Sequence, residues 1–409
     1  MMRLRPEARE LRAALQAAPD GKLGRIIGVV DGLLDRGEAD QILNPLRPRL
    51  RWLRPARPLR FSRLLALPLE GALVAPADWT GGPAEIPRHA ILPLAEALHA
   101  ALGERADAIE MAACGHAVSD MAAVSELGAR LWPMAGAALL SPVPPGWREA
   151  GLPTEAAPAV IALAGALWRH GAALWAARLA CPEGPPEDLL RASLGAVLAE
   201  GRPALLAATV MLLEHAASPA SVAGVAAALC PPLATRLELA LATELTRNAA
   251  GLDAASTPVI SGAARALDGR LEDIVAHVAP AHREPRRRLA AQLRRQAGEV
   301  CITRYATAMQ DELLGPATVL ASGRRATDAE IAALEGAARD LRLLEQAGRR
   351  LCEASGFSRT LGQAVPLLLA LGRASGGAAS VDAARLVEIL AGPAAALPLL
   401  PALLQRPGG

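Results

Sequence analysis

Apolar residues recur with a helical period along most of this chain. From residue 23 to residue 34, six apolar residues fall at i, i+3, i+4, i+7, i+10 and i+11: Leu23, Ile26, Ile27, Val30, Leu33 and Leu34. This spacing predicts an amphipathic helix that ends at Gly37. Residues 7–16 are predicted to form its antiparallel partner, and residues 38–43 a third short helix.

The same periodicity, with capping hydroxyls and prolines at several starts, predicts many more helices. They cover residues 86–102, 104–113, 118–140, 157–180, 186–200, 203–216, 219–230, 232–250, 258–267, 270–278, 360–371, 381–390 and 394–404. A long helical hairpin is predicted from residues 282–314 and from a second helix that begins at Thr327, where Thr327 and Glu330 have the spacing of a capping box.

These elements predict an all-α fold. We expect a multi-helix array, either solenoid-like or made of compact helical bundle subdomains, with a long C-terminal helical hairpin. The predicted segments are 1–44 (N-terminal helices), 45–85 (an Arg/Pro-rich extended segment and docking loop), 86–280 (helical array) and 281–409 (hairpin and C-terminal helices). The sequence contains no fixed repeat period.

Residues 44–68 interrupt the helical pattern with closely spaced arginines and prolines. Because proline fixes φ and removes a hydrogen-bond donor, most of this stretch is predicted to be extended. Its leucines Leu64, Leu65, Leu67 and Leu69 are predicted to dock it on the helical body. Its candidate binding residues are Arg47, Arg49, Arg51, Trp52, Arg54, Arg57, Arg60, Phe61 and Arg63.

Three interpretations of this stretch remain open. The arginines can form ion pairs with the helical body as a solvated strap, since surface charge runs are usually solvated. They can bind the acidic surface of a protein partner. They can also follow the phosphates of a nucleic acid, with Trp52 and Phe61 as stacking surfaces.

A second basic cluster begins the predicted hairpin. Arg283, Arg287 and Arg294 have the spacing i, i+4, i+11 and share a helix face, with Arg288 and Arg295 beside them. If this cluster and the Arg/Pro stretch meet in space, they form one anion-binding surface. If they do not meet, both are expected to be solvated.

The composition weakens the argument that each arginine serves a binding role. The net charge is only +2, and Lys22 is the sole lysine among 43 basic residues, which indicates a coding bias towards arginine. The five cysteines are widely spaced and are interpreted as small buried residues in a reducing cytoplasm. The longest apolar runs, 156–168 and 203–213, are shorter than a membrane span.

The sequence contains none of the motifs expected for common catalytic or cofactor sites. It has no phosphate-binding loop, dinucleotide-binding glycine motif, nucleophile elbow or zinc-protease motif. Cys114-Gly115-His116 is a poor zinc or nucleophile pair, because no second pair accompanies it. The pairs Arg169-His170 and Glu214-His215 are interpreted as the polar sides of amphipathic helices.

We therefore predict a non-enzymatic interaction or scaffold protein of the bacterial cytoplasm, with no cofactor and no metal. A protein partner is expected, possibly through a basic surface. A nucleic-acid-binding protein using residues 47–63 and 283–295 is the first alternative. An enzyme with a helical pocket that carries no sequence signature is the second.

Overall fold

The computed structural model describes residues 14–15, 57–253, 257–277, 282–321, 327–353, 355–375 and 377–399. The described residues are mainly α-helical, with one pair of two-residue strands, which confirms the all-α prediction. The chain divides into two compact units, unit 1 (Met1–Leu241) and unit 2 (Ala242–Gly409).

Unit 1 is built from short helices joined by tight turns. Its described elements are α1 (Phe61–Ala66), β1 (Leu73–Val74), β2 (Ile86–Pro87), α2 (Ile91–Leu102), α3 (Glu104–Ala113), α4 (Met121–Ala137), α5 (Ala157–Arg169), α6 (Gly171–Ala180), α7 (Glu187–Leu198), α8 (Arg202–His215) and α9 (Pro219–Leu229). Strands β1 and β2 pair in parallel. Helix α10 (Ala234–Gly251) continues from unit 1 into unit 2.

The segment that ends the Arg/Pro stretch lies at the centre of unit 1. Helix α1 packs against α2, α3 and α4, and the 3₁₀ turn Leu67–Ala72 that follows it packs against α5, α6 and α8. The four leucines predicted to dock this segment, Leu64, Leu65, Leu67 and Leu69, are all buried. Burying a leucine side chain stabilises a fold by about 1.5–3 kcal/mol, so this segment is a major source of the stability of unit 1.

Two tryptophans satisfy the backbone where α1 ends. The indole Nε1 of Trp132 on α4 donates to the carbonyl oxygen of Leu64 at 2.8 Å, and Nε1 of Trp168 on α5 donates to that of Leu65 at 2.8 Å. Carbonyls at the end of a helix have no partner within it. The two indoles therefore supply hydrogen bonds where water is excluded.

Gly71 allows the 3₁₀ turn to approach α8 closely. A β-carbon added at Gly71 would lie 2.0 Å from the carbonyl oxygen of Ala207 and 2.4 Å from the backbone nitrogen of Met211. Both atoms belong to backbone, which cannot rotate away as a side chain can. Only glycine fits at this contact.

The predicted helix over residues 157–180 is wrong, because the chain bends by 63° between α5 and α6. Gly171 begins α6 against the indole of Trp132, where an added β-carbon would lie 2.9 Å from the ring. The sequence places Trp168 and Trp175 on one helix face. Because the chain bends between them, the two side chains make different contacts.

Unit 2 contains longer helices. Its described elements after α10 are α11 (Thr257–Ala276), α12 (Arg283–Ala308), a π-helical turn (Met309–Leu314), α13 (Gly315–Ala321), α14 (Asp328–Leu351), α15 (Ser355–Ser375), α16 (Gly377–Ala391) and α17 (Pro393–Ala396). Helices α11, α12 and α14 pack against one another, α15 packs against α12, and α16 packs against α14 and α15.

Two boundaries in unit 2 differ from the prediction. Residues 258–267 and 270–278 were predicted as separate helices, but α11 is continuous through Gly269, where an added β-carbon would meet no atom within 4 Å. The helix predicted over 282–314 changes to a π-helical turn at Met309. The capping box of Thr327 and Glu330 is confirmed.

The interpretation of the cysteines as buried residues is only partly correct. All five lie within the described residues, and none of them forms a disulfide there. Cys181, Cys230 and Cys301 are buried, but Cys352 is half-buried and Cys114 is exposed. Cys114 is exposed because it directly follows α3 and begins the turn to α4.

Among the described residues, no single helix has both the length and the apolar composition to cross a membrane. The bent pair Thr154–Arg169 and Gly171–Glu183 meets both criteria only when its two parts are taken together.

Replacing Gly71 with alanine should destabilise unit 1 strongly. The new methyl group would overlap backbone atoms of α8, and overpacking of this kind costs about 1–3 kcal/mol or more. Denaturant unfolding of wild type and Gly71→Ala measures the change. Gly195→Ala is the matched control: an added β-carbon there meets nothing within 4 Å, and alanine in the middle of α7 should stabilise by about 0.5–1 kcal/mol. Equal effects at both positions would contradict the packing argument.

Candidate functional site

The described part of the Arg/Pro stretch begins as an extended segment. The backbone nitrogen of Leu59 donates to the carbonyl of His116 at 2.8 Å, and that of Val118 donates to the carbonyl of Arg57 at 2.8 Å. Arg47, Arg49, Arg51, Trp52 and Arg54 lie outside the described residues. Residues 57–59 are therefore a strap tied to the turn between α3 and α4.

The arginines within this strap and α1 are in different environments. Arg57 is exposed, whereas Arg60 and Arg63 are half-buried. Nη1 of Arg63 donates to the carbonyl of Pro58 at 2.7 Å, which closes the turn into α1. Arg63 thus contributes to the local structure of the strap.

Phe61 does not offer a surface for stacking. Its ring is 3% exposed and makes an edge contact with His99, with ring centroids 5.2 Å apart. The aromatic part of the proposed phosphate-binding stretch would then depend on Trp52.

The second basic cluster lies on the N-terminal half of α12. Four of its arginines are exposed, and we call them the α12 basic face: Arg283, Arg287, Arg288 and Arg295. Nε of Arg288 donates to Glu284 at 2.8 Å. The α12 basic face belongs to unit 2 and Arg57 to unit 1, so the convergence of the two basic runs stays a prediction.

Arg294 is engaged within unit 2. Its Nε donates to Oδ1 of Asp268 on α11 at 3.3 Å, and the Asp268 carboxylate is buried. The i, i+4, i+11 spacing places Arg294 near Arg283 and Arg287 in projection. Because α11 packs on that side of α12, Arg294 forms an ion pair between the two helices.

Arg286 is a structural residue that the sequence analysis did not single out. It is buried and donates from Nη1 to the carbonyl of His277 at 3.0 Å, just beyond the C-terminal end of α11. A cation near the last carbonyls of a helix is favourable. Arg286 lies on the same helix face as the buried Ala290, Leu293 and Ala297. That spacing in the sequence indicates that Arg286 faces the interior of unit 2.

A cleft of about 370 Å³ lies in unit 1 between α4 and α5. It is lined mainly by small and apolar residues, together with Arg169 and Glu200. Arg169 donates from Nε and Nη2 to the two carboxylate oxygens of Glu200 at 2.9 and 2.6 Å, and from Nη1 to the carbonyl of Gly136 at 3.1 Å. His170 Nε2 lies 3.2 Å from Glu200 Oε1.

This ion pair fixes the charges in the cleft. The hydrogen bonds from Arg169, followed by that from His170, outweigh partial burial and lower the pKa of Glu200 to about 2. The hydrogen bond to Glu200 in turn raises the pKa of Arg169. Both groups are held in their charged forms at neutral pH, so this pair is suited to positioning and not to proton transfer. Arg169 and His170 therefore belong to a hydrogen-bonded network with Glu200 and do not only form the polar side of a helix.

A second charged cluster lies where the 3₁₀ turn meets the end of α8. We call Glu70, Glu214 and His215 the carboxylate–histidine cluster: one ligand atom from each lies within 4.8 Å of the others. Nε2 of His215 lies 3.9 Å from Oε2 of Glu70, and Nη2 of Arg178 lies 3.4 Å from the same oxygen. No pattern in the sequence predicts this contact, because Glu70 is far from Glu214 and His215 along the chain.

Arg178 is positioned by aromatic packing. Its guanidinium lies 4.2 Å from the ring centroid of Trp175, which itself lies 5.8 Å from Trp132. Burial lowers the pKa of Arg178, and the nearby charges of Glu70 and Glu214 oppose that shift. A cation over an indole face is held electrostatically as well as sterically.

The Cys114-Gly115-His116 turn has a capping role. Nδ1 of His116 lies 2.7 Å from Oδ2 of Asp120, whose other carboxylate oxygen accepts from the backbone nitrogen of Ala123 and caps α4. The hydrogen bond from His116 is the largest cause of the lowered pKa of Asp120. The side-chain contact of His116 with Asp120 therefore belongs to a helix cap.

Comparison of the chain with protein-family models, with curated proteins and with solved structures finds no match in any of the three.

The Arg169–Glu200 pair should contribute stability that is lost in acid. The folded pKa of Glu200, about 2, lies below its ordinary value of 4.5, so its contribution is present above pH 4.5 and disappears as the pH falls to about 2. Glu200→Gln should lower the free energy of unfolding at neutral pH by roughly 1–2 kcal/mol, allowing for screening. The difference from wild type should shrink over that acid range in denaturant titrations.

The control is Glu187→Gln, which removes an exposed i, i+4 pair with Arg191 and should change stability by less than about 0.5 kcal/mol. A Glu200→Gln difference that stays constant through the acid range would show that packing, and not ionisation, is responsible.

Proposed function

We propose that this chain is a non-enzymatic helical interaction protein that binds an acidic protein partner through the α12 basic face. The observation that carries the proposal is the exposure of four guanidinium groups on one half of one helix. For these four arginines, the ion pair found within the described ranges is the one between Arg288 and Glu284.

The chemistry of the face favours a protein surface with carboxylates. A guanidinium binds a carboxylate in a planar, bidentate fashion, and arginine is enriched in the energetically important parts of protein interfaces. Successive arginines on one face of a rigid helix keep a fixed spacing. The proposed partner therefore presents acidic side chains along a strip about as long as three turns of helix, roughly 18 Å.

The placement of the aromatic residues supports a protein partner over a single-stranded nucleic acid. Nucleic-acid channels combine basic residues with exposed aromatic rings on which bases stack. Phe61, Tyr305 and Phe357 are buried, and so are four of the tryptophans, Trp132, Trp147, Trp168 and Trp175. Among the described residues, Trp79 is the aromatic side chain that is half-buried.

We also propose the finer architecture that is expected from the sequence. The consecutive helices of unit 1 would act as a solenoid-like or bundled scaffold, and α12 with α14 would form the long hairpin that displays the basic face. A reducing cytoplasm is the proposed compartment, which agrees with five cysteines that form no disulfide among the described residues. Arg57, with the arginines at 47–54, would supply a second contact region.

Neutralising the α12 basic face should abolish partner binding without unfolding the protein. The variant replaces Arg283, Arg287, Arg288 and Arg295 with glutamine. Partners are captured from nuclease-treated bacterial lysate, and the main captured protein is then purified and titrated against wild type and variant. We expect the variant to bind at least about tenfold more weakly, and wild-type affinity to fall with salt.

The control variant removes the same number of charges from exposed arginines of unit 1, namely Arg105, Arg130, Arg148 and Arg236. It should bind within about twofold of wild type, because rim charges away from an interface contribute little. Equal loss in both variants would indicate a general charge effect. Capture that nuclease abolishes would support the nucleic-acid alternative in place of this proposal.

A further inference from the structure

The carboxylate–histidine cluster is built by backbone packing. Gly71 brings the 3₁₀ turn against α8 at Met211, and Glu70 is the residue next to Gly71. Glu214 and His215 lie three and four positions after Met211, so they share its face of the helix. The close approach at Gly71 therefore places the three side chains together before any ligand binds.

The distance between His215 and Glu70 is at the outer limit of an ion pair and too long for a hydrogen bond. Nε2 and Oε2 are 3.9 Å apart, which exceeds hydrogen-bonding range. A water bound to both atoms at about 2.8 Å would hold them roughly 4.5 Å apart at its tetrahedral angle. Two zinc bonds of about 2.0–2.1 Å would hold them about 3.4 Å apart, so a closure of about 0.5 Å would create a metal bridge.

The Nε2 atom itself requires a partner. It is buried and has no hydrogen-bond partner among the described residues, although the imidazole as a whole is 27% exposed. A buried polar nitrogen without a partner is unfavourable. The exposed Glu214 and the partly exposed Glu70 leave a route by which an ion can reach it from solvent.

The local charge balance favours a cation despite Arg178. Glu70 and Glu214 contribute two negative charges and Arg178 one positive charge, so a net negative charge remains when His215 is neutral. The cluster also lies at the C-terminal end of α8, where the helix dipole is negative. Arg178, held over Trp175, lies 3.4 Å from Oε2 of Glu70 and competes with a bound cation for that carboxylate.

We propose that Glu70, Glu214 and His215 form a binding site for a first-row divalent transition metal, with Zn²⁺ as the probe. One imidazole and two carboxylates are a borderline donor set that suits zinc, iron or manganese. Calcium and magnesium prefer oxygen ligands alone and should bind much more weakly. Three protein ligands leave a coordination position for water or for a group from a partner.

The test uses the full chain after removal of metal with a chelator. Calorimetric titration with Zn²⁺ should give one site per chain with a dissociation constant of about 1 μM or tighter. Titration with Co²⁺ should give the visible d–d absorption of a site with nitrogen and oxygen ligands. A strong thiolate-to-cobalt band would assign the metal to a cysteine and overturn the proposal.

Three single variants test the ligands: Glu70→Gln, Glu214→Gln and His215→Gln. Each should weaken Zn²⁺ binding by more than about 100-fold, while far-ultraviolet circular dichroism at low temperature stays that of wild type. Glu214 is exposed, so Glu214→Gln keeps the test valid if the other two variants fold poorly.

The matched control is His99→Gln. His99 is also flanked by two carboxylates, with Nε2 3.4 Å from Asp107 and 3.2 Å from Glu110, but it belongs to a different surface of unit 1. This variant should bind Zn²⁺ within about twofold of wild type. Absence of saturable binding to wild type, or binding that persists in all three ligand variants, would overturn the proposal.

The variant Arg178→Gln distinguishes a metal site from a purely structural ion-pair network. Removal of the competing positive charge should tighten Zn²⁺ binding several-fold, because the two carboxylates then interact with the metal alone. Weaker Zn²⁺ binding in a folded Arg178→Gln protein would contradict the role of Arg178 as a competing positive charge.

Discussion

The carbonyl groups of Leu64 and Leu65 lie inside unit 1, and the arrangement around them depends on keeping them hydrogen-bonded. Trp132 and Trp168 provide those bonds from two different helices, each at 2.8 Å. Because an unpaired buried carbonyl is costly, the two indoles restrict how α4 and α5 can pack on α1. The bend before Gly171 and the contact between Trp132 and Trp175 follow from that restriction.

The arginines of this chain fall into two physical classes that composition cannot separate. Arg169, Arg286 and Arg294 are anchored by carboxylates or by backbone carbonyls within their own unit. Within the described residues, the arginines of the α12 basic face are exposed, and Arg288 among them pairs with Glu284. Exposed guanidinium groups can still bind a partner, and this distinction is the physical basis of the proposed interaction surface.

The two charged sites of unit 1 differ in whether their groups are satisfied. In the cleft, Glu200 accepts from both Arg169 and His170, and its low pKa reflects a completed network. In the carboxylate–histidine cluster, the buried Nε2 of His215 lies beside two carboxylates and has no hydrogen-bond partner in the part of the chain that the structure describes. A completed network stabilises the fold, whereas an incomplete one retains affinity for a ligand. The same unit can therefore have a structural ion pair and a proposed metal site.

Local patterns in the sequence determined the all-α class, the capping box at Thr327 and the burial of the leucines after the Arg/Pro stretch, because each depends on neighbours within a few turns of helix. The tertiary structure decided which arginines are anchored, that Phe61 is buried, where the chain bends at Gly171, and that Glu70 meets Glu214 and His215. These outcomes depend on close approaches between segments far apart in the chain. Helical periodicity identifies the face that each helix buries, but it does not identify the partner against which that face packs.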